Sequence, residues 1–419
     1  MQKKFKVAIL GCGTRGTMFT GGFFRRKDQF EVVALCDWKK EQLEKVHCLF
    51  GLENTQDFTS ADEFLKEKRG DMVVISTDDR HHVSQCVKAL KLGYDVLLEK
   101  PISDSREEIE LLLKTQEETG KQVVVCHELR YGAGYRKCGE LLKNGVIGKL
   151  YAIDASERAV YWHWAQAYVR GIGSSLEKGH PVILAKCSHD LDLLQFYAGS
   201  ECESVSSVGS RAFFKKEDAP VGHAKRCVDC PHNETCPYSG KRIYIEAWKK
   251  SGCPKYGWPY SKVSLQTPLS EQALYEGLKT GAYGRCVFEC EEEQMDHQMV
   301  QMHFKNGVNA SLKMCYGAEP GRRIVFYGTH GEIVMDERAD TIEIMPYGQE
   351  KEIVQIHTLT EDGNAHGGGD GVLLREMYGI LSGQIQPTTP LKESVECHLM
   401  GIAAEESRKQ GGALIKVHS

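Results

Sequence analysis

No stretch of this chain approaches the ~18 consecutive apolar residues needed to cross a bilayer, so a helical membrane span is excluded. Charge of one sign is also missing. Fifty-three Lys and Arg stand against 58 Asp and Glu, a formal net charge of −5, and no general nucleic-acid-binding surface is expected. No apolar segment of ~7–15 residues with a small-residue cleavage site follows Met1, so a cytoplasmic protein is expected. Internal repeats and low-complexity tracts are lacking too. Cysteine, by contrast, is plentiful: many of the 16, such as Cys36, Cys86 and Cys126, lie inside apolar runs and read as reduced, buried thiols. With 41% hydrophobic and 26% charged residues, the 419-residue chain has the composition of a soluble protein of two or three domains.

Short apolar runs alternate with helix-like stretches from the N-terminus to about residue 128. The runs are residues 5–10, 31–35, 72–76, 95–101 and 122–128; helical patterns cover 39–49, 82–92 and 105–119. Continuous rather than alternating apolarity predicts parallel strands covered on both faces, hence a doubly wound α/β domain over 1–127. The texture then changes. Helical patterns at 132–145 and 182–198 are interleaved with alternating strands at 296–305, 308–316 and 323–327, with more strand material in 341–356. Asn306-Gly307 and His330-Gly331 mark hairpin turns. Residues 128–419 are therefore expected to form an α+β domain with a mostly antiparallel open sheet. A Cys-rich, weakly periodic insertion interrupts it at about 214–285.

The first apolar run ends on Gly11-Cys12-Gly13-Thr14-Arg15-Gly16, a GxGxxG turn that opens a helix, and Asp37 closes the next run 26 residues after Gly11. That context is the dinucleotide fingerprint. Gly11 permits the tight turn, Gly13 lets backbone approach a pyrophosphate, and Gly16 allows close helix–strand packing. The helix N-terminus offers free N–H groups to phosphate. Asp37 suits ribose hydroxyls and repels a 2′-phosphate, so NAD is expected over NADP.

Glu99-Lys100-Pro101 follows a strand at the carboxyl edge of the sheet, where ligands bind in such folds. With the fingerprint, Thr77 and His82 in STDDRHH, Arg130, Gly145-Val-Ile-Gly148 and the helix KCSHDLDLLQFYAG, the chain resembles the glucose–fructose oxidoreductase/inositol dehydrogenase/MocA (Gfo/Idh/MocA) family of NAD(P)-dependent oxidoreductases. The resemblance implies a Rossmann cofactor domain in which Thr77, His82, Glu99 and Lys100 join the glycine turn around NAD. It further implies Lys100 at the reacting hydroxyl and His189 as general acid/base, with Arg130 near the substrate. A neutral imidazole is suited to taking a hydroxyl proton near pH 7, and an ammonium favours the developing oxyanion. One departure stands out: the Asp often found four residues before this His is Ala185 here. Lys186 follows, on the same helical face as His189, and is either a substrate contact or a solvated charge.

Tyr161, His163 and Arg170 lie in the aromatic stretch YWHWAQAYVRG, which reads equally as a sugar-binding surface or as a core helix. His366 opens the HGGGD loop, which in a subset of relatives lies near the substrate. Cys227, Cys230, Cys236 and Cys253 give C-x2-C-x5-C-x16-C, which fits a structural zinc or a set of reduced thiols. The expected activity is NAD-dependent oxidation of a secondary hydroxyl of a sugar, sugar derivative or cyclitol. The alternative is an NAD-dependent glycosidase working by transient oxidation, elimination, hydration and re-reduction. By analogy, a homodimer or homotetramer is expected.

Overall fold

The computed structural model describes residues 3–291, 293–359 and 366–418. Strands β1 (Phe5–Leu10), β2 (Phe30–Cys36), β3 (Gln56–Phe58), β4 (Met72–Ile75), β5 (Asp95–Leu98) and β6 (Val123–Val125) form one sheet in the order β3-β2-β1-β4-β5-β6. All its pairings are parallel. This is the strand order of a doubly wound dinucleotide fold, with the switch point beside β1 and β4. Every residue of β4 and β6 is buried, as their unbroken Val and Ile content requires.

The second sheet runs β14-β13-β12-β11-β7-β10-β9-β8-β15. Its strands are β7 (Leu150–Val160), β8 (Cys202–Ser210), β9 (His297–Phe304), β10 (Asn309–Gly317), β11 (Gly321–Gly328), β12 (Gly331–Asp336), β13 (Thr341–Pro346), β14 (Glu352–Gln355) and β15 (Ile415–Lys416). Only β7 and β10 pair in parallel; the remaining pairs are antiparallel. Gly307, at φ +87, makes the predicted Asn-Gly turn between β9 and β10. Helices Val182–Ala198 and Leu391–Lys409 pack on each other over one face of this sheet.

Two elements cross between the halves of the chain. Helix Gly369–Leu381 contributes Leu373, Leu374, Met377 and Ile380 to the apolar cluster under the first sheet. Residues 388–390 lie along β6, where Val125 donates its N–H to Thr389 O. Residues 214–285 hold a small core of their own around Tyr244, Trp248 and Leu274.

Candidate active site

The glycine turn shows why each glycine is needed. Gly11 sits at φ +94, where a Cβ would lie 2.4 Å from Ser76 O, and a Cβ on Gly16 would lie 1.8 Å from Gly11 O. Gly13 differs: a Cβ there meets nothing within 4 Å. The one open approach in the turn is thus where a pyrophosphate would pass, at the N-terminus of helix Thr14–Phe24, whose cap carries no side-chain hydrogen bond. Asp37 closes β2 beside it, accepting from Cys12 N at 2.8 Å and Lys39 N at 2.9 Å. These residues fit a dinucleotide cofactor.

The other expected cofactor contacts sort differently. Cys12 offers only backbone, because its thiol is buried against Cys36 O. Thr77 donates to Gln85 Oε1 at 2.6 Å, and His82 bridges Pro101 O (2.7 Å) and Thr77 O (3.2 Å), so both brace the loops after β4 and β5. Arg15 does not point at the phosphates. Its guanidinium pairs with Glu99 (2.5 Å), Glu128 and Asp370 (3.0 Å), joining the first helix, two strand ends and helix Gly369–Leu381.

Lys100 extends from the end of β5 and donates to Ala185 O at 2.9 Å. Ala185 lies one turn before His189 on helix Val182–Ala198, so the lysine docks on the face that carries the imidazole. Burial lowers the Lys100 pKa, against the opposing field of Glu99. Glu128 Oε2 stands 3.5 Å from His189 Nε2, and the His127 ring meets His189 edge-on at 5.8 Å. The residue at 185 is too short to reach a histidine, but a carboxylate from the first sheet's rim does. Glu128 was not singled out by the motifs, although its position three residues past β6, like that of Glu99 just past β5, marked the same edge.

Lys186 is paired. It contacts Glu157 at 2.9 Å; Glu157 contacts Arg322 at 3.1 Å; and Arg322 grips Asp190 through two bonds of 2.8 and 3.2 Å. Burial pushes Asp190 up to about 6 even with Arg322 beside it. His163 lies within the field of Lys186, Glu157 and Lys100; burial first, then the two cations, push its pKa down to about 3. A neutral His163 meets Trp258 edge-on at 4.9 Å, and Trp258 lies 5.1 Å from Trp162. Trp258 comes from the insertion, and Lys45 lies over Tyr256 at 5.3 Å, so this segment reaches from the aromatic helix to the cofactor domain.

Three expectations land elsewhere, and a fourth is not described. Arg130 is 2% exposed and makes paired bonds of 2.7 and 2.8 Å to Asp192, a structural anchor rather than a substrate contact. Arg170 is also buried, tied to Arg285 O at 2.7 Å and Tyr238 O at 2.6 Å. Tyr161 lines a separate cavity of about 300 Å3 with Trp162, Arg242, Glu246 and Lys250. The side chain of His366 lies outside the described residues.

The fold and this turn define a dinucleotide-binding oxidoreductase scaffold. Residues 5–127 match the NAD-binding Rossmann part, and residues 139–417 the C-terminal alpha/beta part, of the Gfo/Idh/MocA oxidoreductase family. The chain belongs to that family. The oxidoreductase YteT of Bacillus subtilis is 24% identical over 337 residues, covering 76% of this chain and 74% of its own. A family 109 glycosyl hydrolase of Phocaeicola vulgatus is 25% identical over 226 residues, 49% of this chain and 53% of that one. The solved WlbA dehydrogenase of Bordetella pertussis, in complex with NADH and UDP-GlcNAcA, shares the fold at TM-score 0.68 and 16% identity over 99% of both chains.

Proposed function

We propose that this enzyme is an NAD-dependent dehydrogenase oxidising a secondary hydroxyl of a sugar, sugar derivative or cyclitol. The observation that carries the reading is the Lys100 ammonium seated on Ala185 O, one turn from His189. Bound NAD supplies the hydride acceptor. Lys100 donates a hydrogen bond to the reacting oxygen and steadies its alkoxide character. His189 takes the hydroxyl proton as the C–H electron pair leaves, and the carbon becomes a carbonyl. Glu128, 3.5 Å from His189 Nε2, stabilises the imidazolium so formed. Asp37 supports NAD over NADP. Neutral His163 with Trp258 supports an aromatic, hydrogen-bonding wall for a polyhydroxylated ring. The nucleotide–sugar complex of WlbA supports the same substrate class.

In this reading residues 1–127 hold the cofactor and 128–419 the substrate. The uncovered face of the second sheet exposes Tyr151, Val208 and Met299, which supports a homo-oligomer packed through it. Buried thiols such as Cys86 and Cys138 suit the reducing cytoplasm.

The hydrolase name of the Phocaeicola relative keeps the redox-neutral glycosidase as the second reading. One assay separates the two: NAD with free sugars, polyols and p-nitrophenyl glycosides, following absorbance at ~340 nm and nitrophenol release. Stoichiometric NADH from a free sugar or polyol is expected. Aglycone release without net NADH would replace the dehydrogenase with the glycosidase.

A further inference from the structure

The insertion holds a cluster of thiols that the chemistry above does not use. Cys227, Cys230, Cys236 and Cys286 all line one small cavity of about 20 Å3, beside Arg170, Asn233 and Ser239. That is space for about one atom-sized occupant. The fourth cysteine is not the one the spacing suggested. Cys253 is exposed, at φ +55, its N–H on Trp248 O, and it does not line the cavity.

The backbone explains why Cys286 arrives instead. Arg226 and Arg285 form an isolated antiparallel bridge, and Cys286 N donates to Lys225 O at 2.9 Å. The residue after each bridge arginine is a cysteine, so two remote segments place Cys227 and Cys286 on the wall of one cavity. Cys227–Asp229 forms a tight turn that brings Cys230 back alongside Cys227. Three polar atoms around the cavity are buried without a hydrogen-bond partner: Arg170 Nη1, Asn233 Oδ1 and Ser239 Oγ, with Arg170 and Ser239 each 1% exposed. Each such group costs ~1–3 kcal/mol when nothing answers it, which points to an occupant that polarises the site.

We propose that Cys227, Cys230, Cys236 and Cys286 bind one tetrahedral Zn2+ that clips the insertion to the body of the protein. Thiolates select soft, tetrahedral cations over Mg2+ or Ca2+, and the C-x2-C turn is a standard half-site for zinc. Four thiols lose four protons to solvent and form four Zn–S bonds, leaving a complex of charge −2. Arg170, with Nη2 3.4 Å from Cys227 Sγ, offsets part of that charge, while its other bonds reach Arg285 O and Tyr238 O on both sides of the cluster. The ligands must be deprotonated thiolates, so binding is expected to weaken as pH falls. The metal is structural. No position of the site is left for substrate, and the clip holds the segment that carries Trp258 over His163.

The test uses the full-length chain, passed over a chelator and analysed for metal by inductively coupled plasma mass spectrometry. About one zinc per chain is expected in the wild type and in Cys253→Ser, and less than a tenth of that in Cys286→Ser and Cys230→Ser. Should the last two variants fail to fold, Co2+ exchange into the wild-type protein answers instead: the absorption bands of a four-sulfur tetrahedral cobalt are expected. Zinc lost in Cys253→Ser but kept in Cys286→Ser would overturn the proposal. So would a metal-free wild type whose insertion thiols are disulfide-bonded or all open to a thiol reagent.

Discussion

The two sheets bury their strands differently, and the difference decides where chemistry can occur. β4 and β6 are buried at every position, because helices cover both faces of the first sheet. A ligand can reach that sheet only at its carboxyl rim, where Gly13, Glu99, Lys100 and Glu128 stand. β9 instead alternates strictly between buried and exposed residues, with Met299 54% exposed. The second sheet therefore gives one face to the helix carrying His189 and leaves the other exposed. One sheet presents an edge, the other a wall. The site forms where the edge meets the helix-covered side of the wall.

The largest effect that would break this comparison lies at the meeting point. Lys100→Ala and His189→Ala are each expected to lower kcat by ~10³-fold or more, with NAD affinity, read by nucleotide fluorescence, changed less than about threefold. Near-normal turnover in either variant would refute its role.

Next in size is the wall's own charge network. Arg322→Leu leaves Asp190 buried without its cation, a loss of ~3–5 kcal/mol in a urea melt. A loss under ~1 kcal/mol would show that Asp190 is already neutral at assay pH. The glycine turn offers a sharper contrast. Gly16→Ala forces a Cβ to 1.8 Å from backbone oxygen and is expected to cost ~3 kcal/mol. Gly13→Ala has open space, so its melting temperature should stay within about 2 °C while NAD binds ~10-fold more weakly. Equal destabilisation by the two would remove the argument that position 13 is kept for a ligand.

The smallest effect tests how the halves are held together. Asp104 is pushed up by burial but held down to about 2 by His180, 3.2 Å away, and by Arg80. Its folded pKa lies below its ordinary value, so its contribution is complete above about pH 4 and fades as pH falls through about 2. The contribution is on the order of 2 kcal/mol. Asp104→Asn should flatten the acid limb of a stability–pH curve; an unchanged limb would remove Asp104 from the account.

Much of the fold was readable because the determining contacts are local. The strand–turn–helix at Gly11–Gly16 and the helix Val182–Ala198 follow from spacing and apolar runs within one element. β7 gave no such signal. Its inward positions are Ile153, Ala155, Glu157 and Ala159, all but the first small or charged, so hydrophobic alternation is weak in this 11-residue strand. Glu157 is tolerated there only because Lys186 and Arg322 meet it in space. Helix Leu391–Lys409 buries Ser394, Glu396 and His398 alongside its apolar residues, which erases an amphipathic stripe. Arg15 and Arg130 were placed at ligands by motif alone, whereas buried carboxylates claim them.

The amino-acid order by itself determined the glycine turn, the placing of Asp37 at the end of the second strand beside it and the placing of Lys100 at a strand end, since each depends on neighbours within one βα unit. Only the tertiary structure decided that Glu128 faces His189 where residue 185 is alanine, and that Cys286 rather than Cys253 joins the thiol cluster. Those pairings join residues some 60 positions apart, and their distances are set by how the sheets and the insertion pack, which no local spacing encodes.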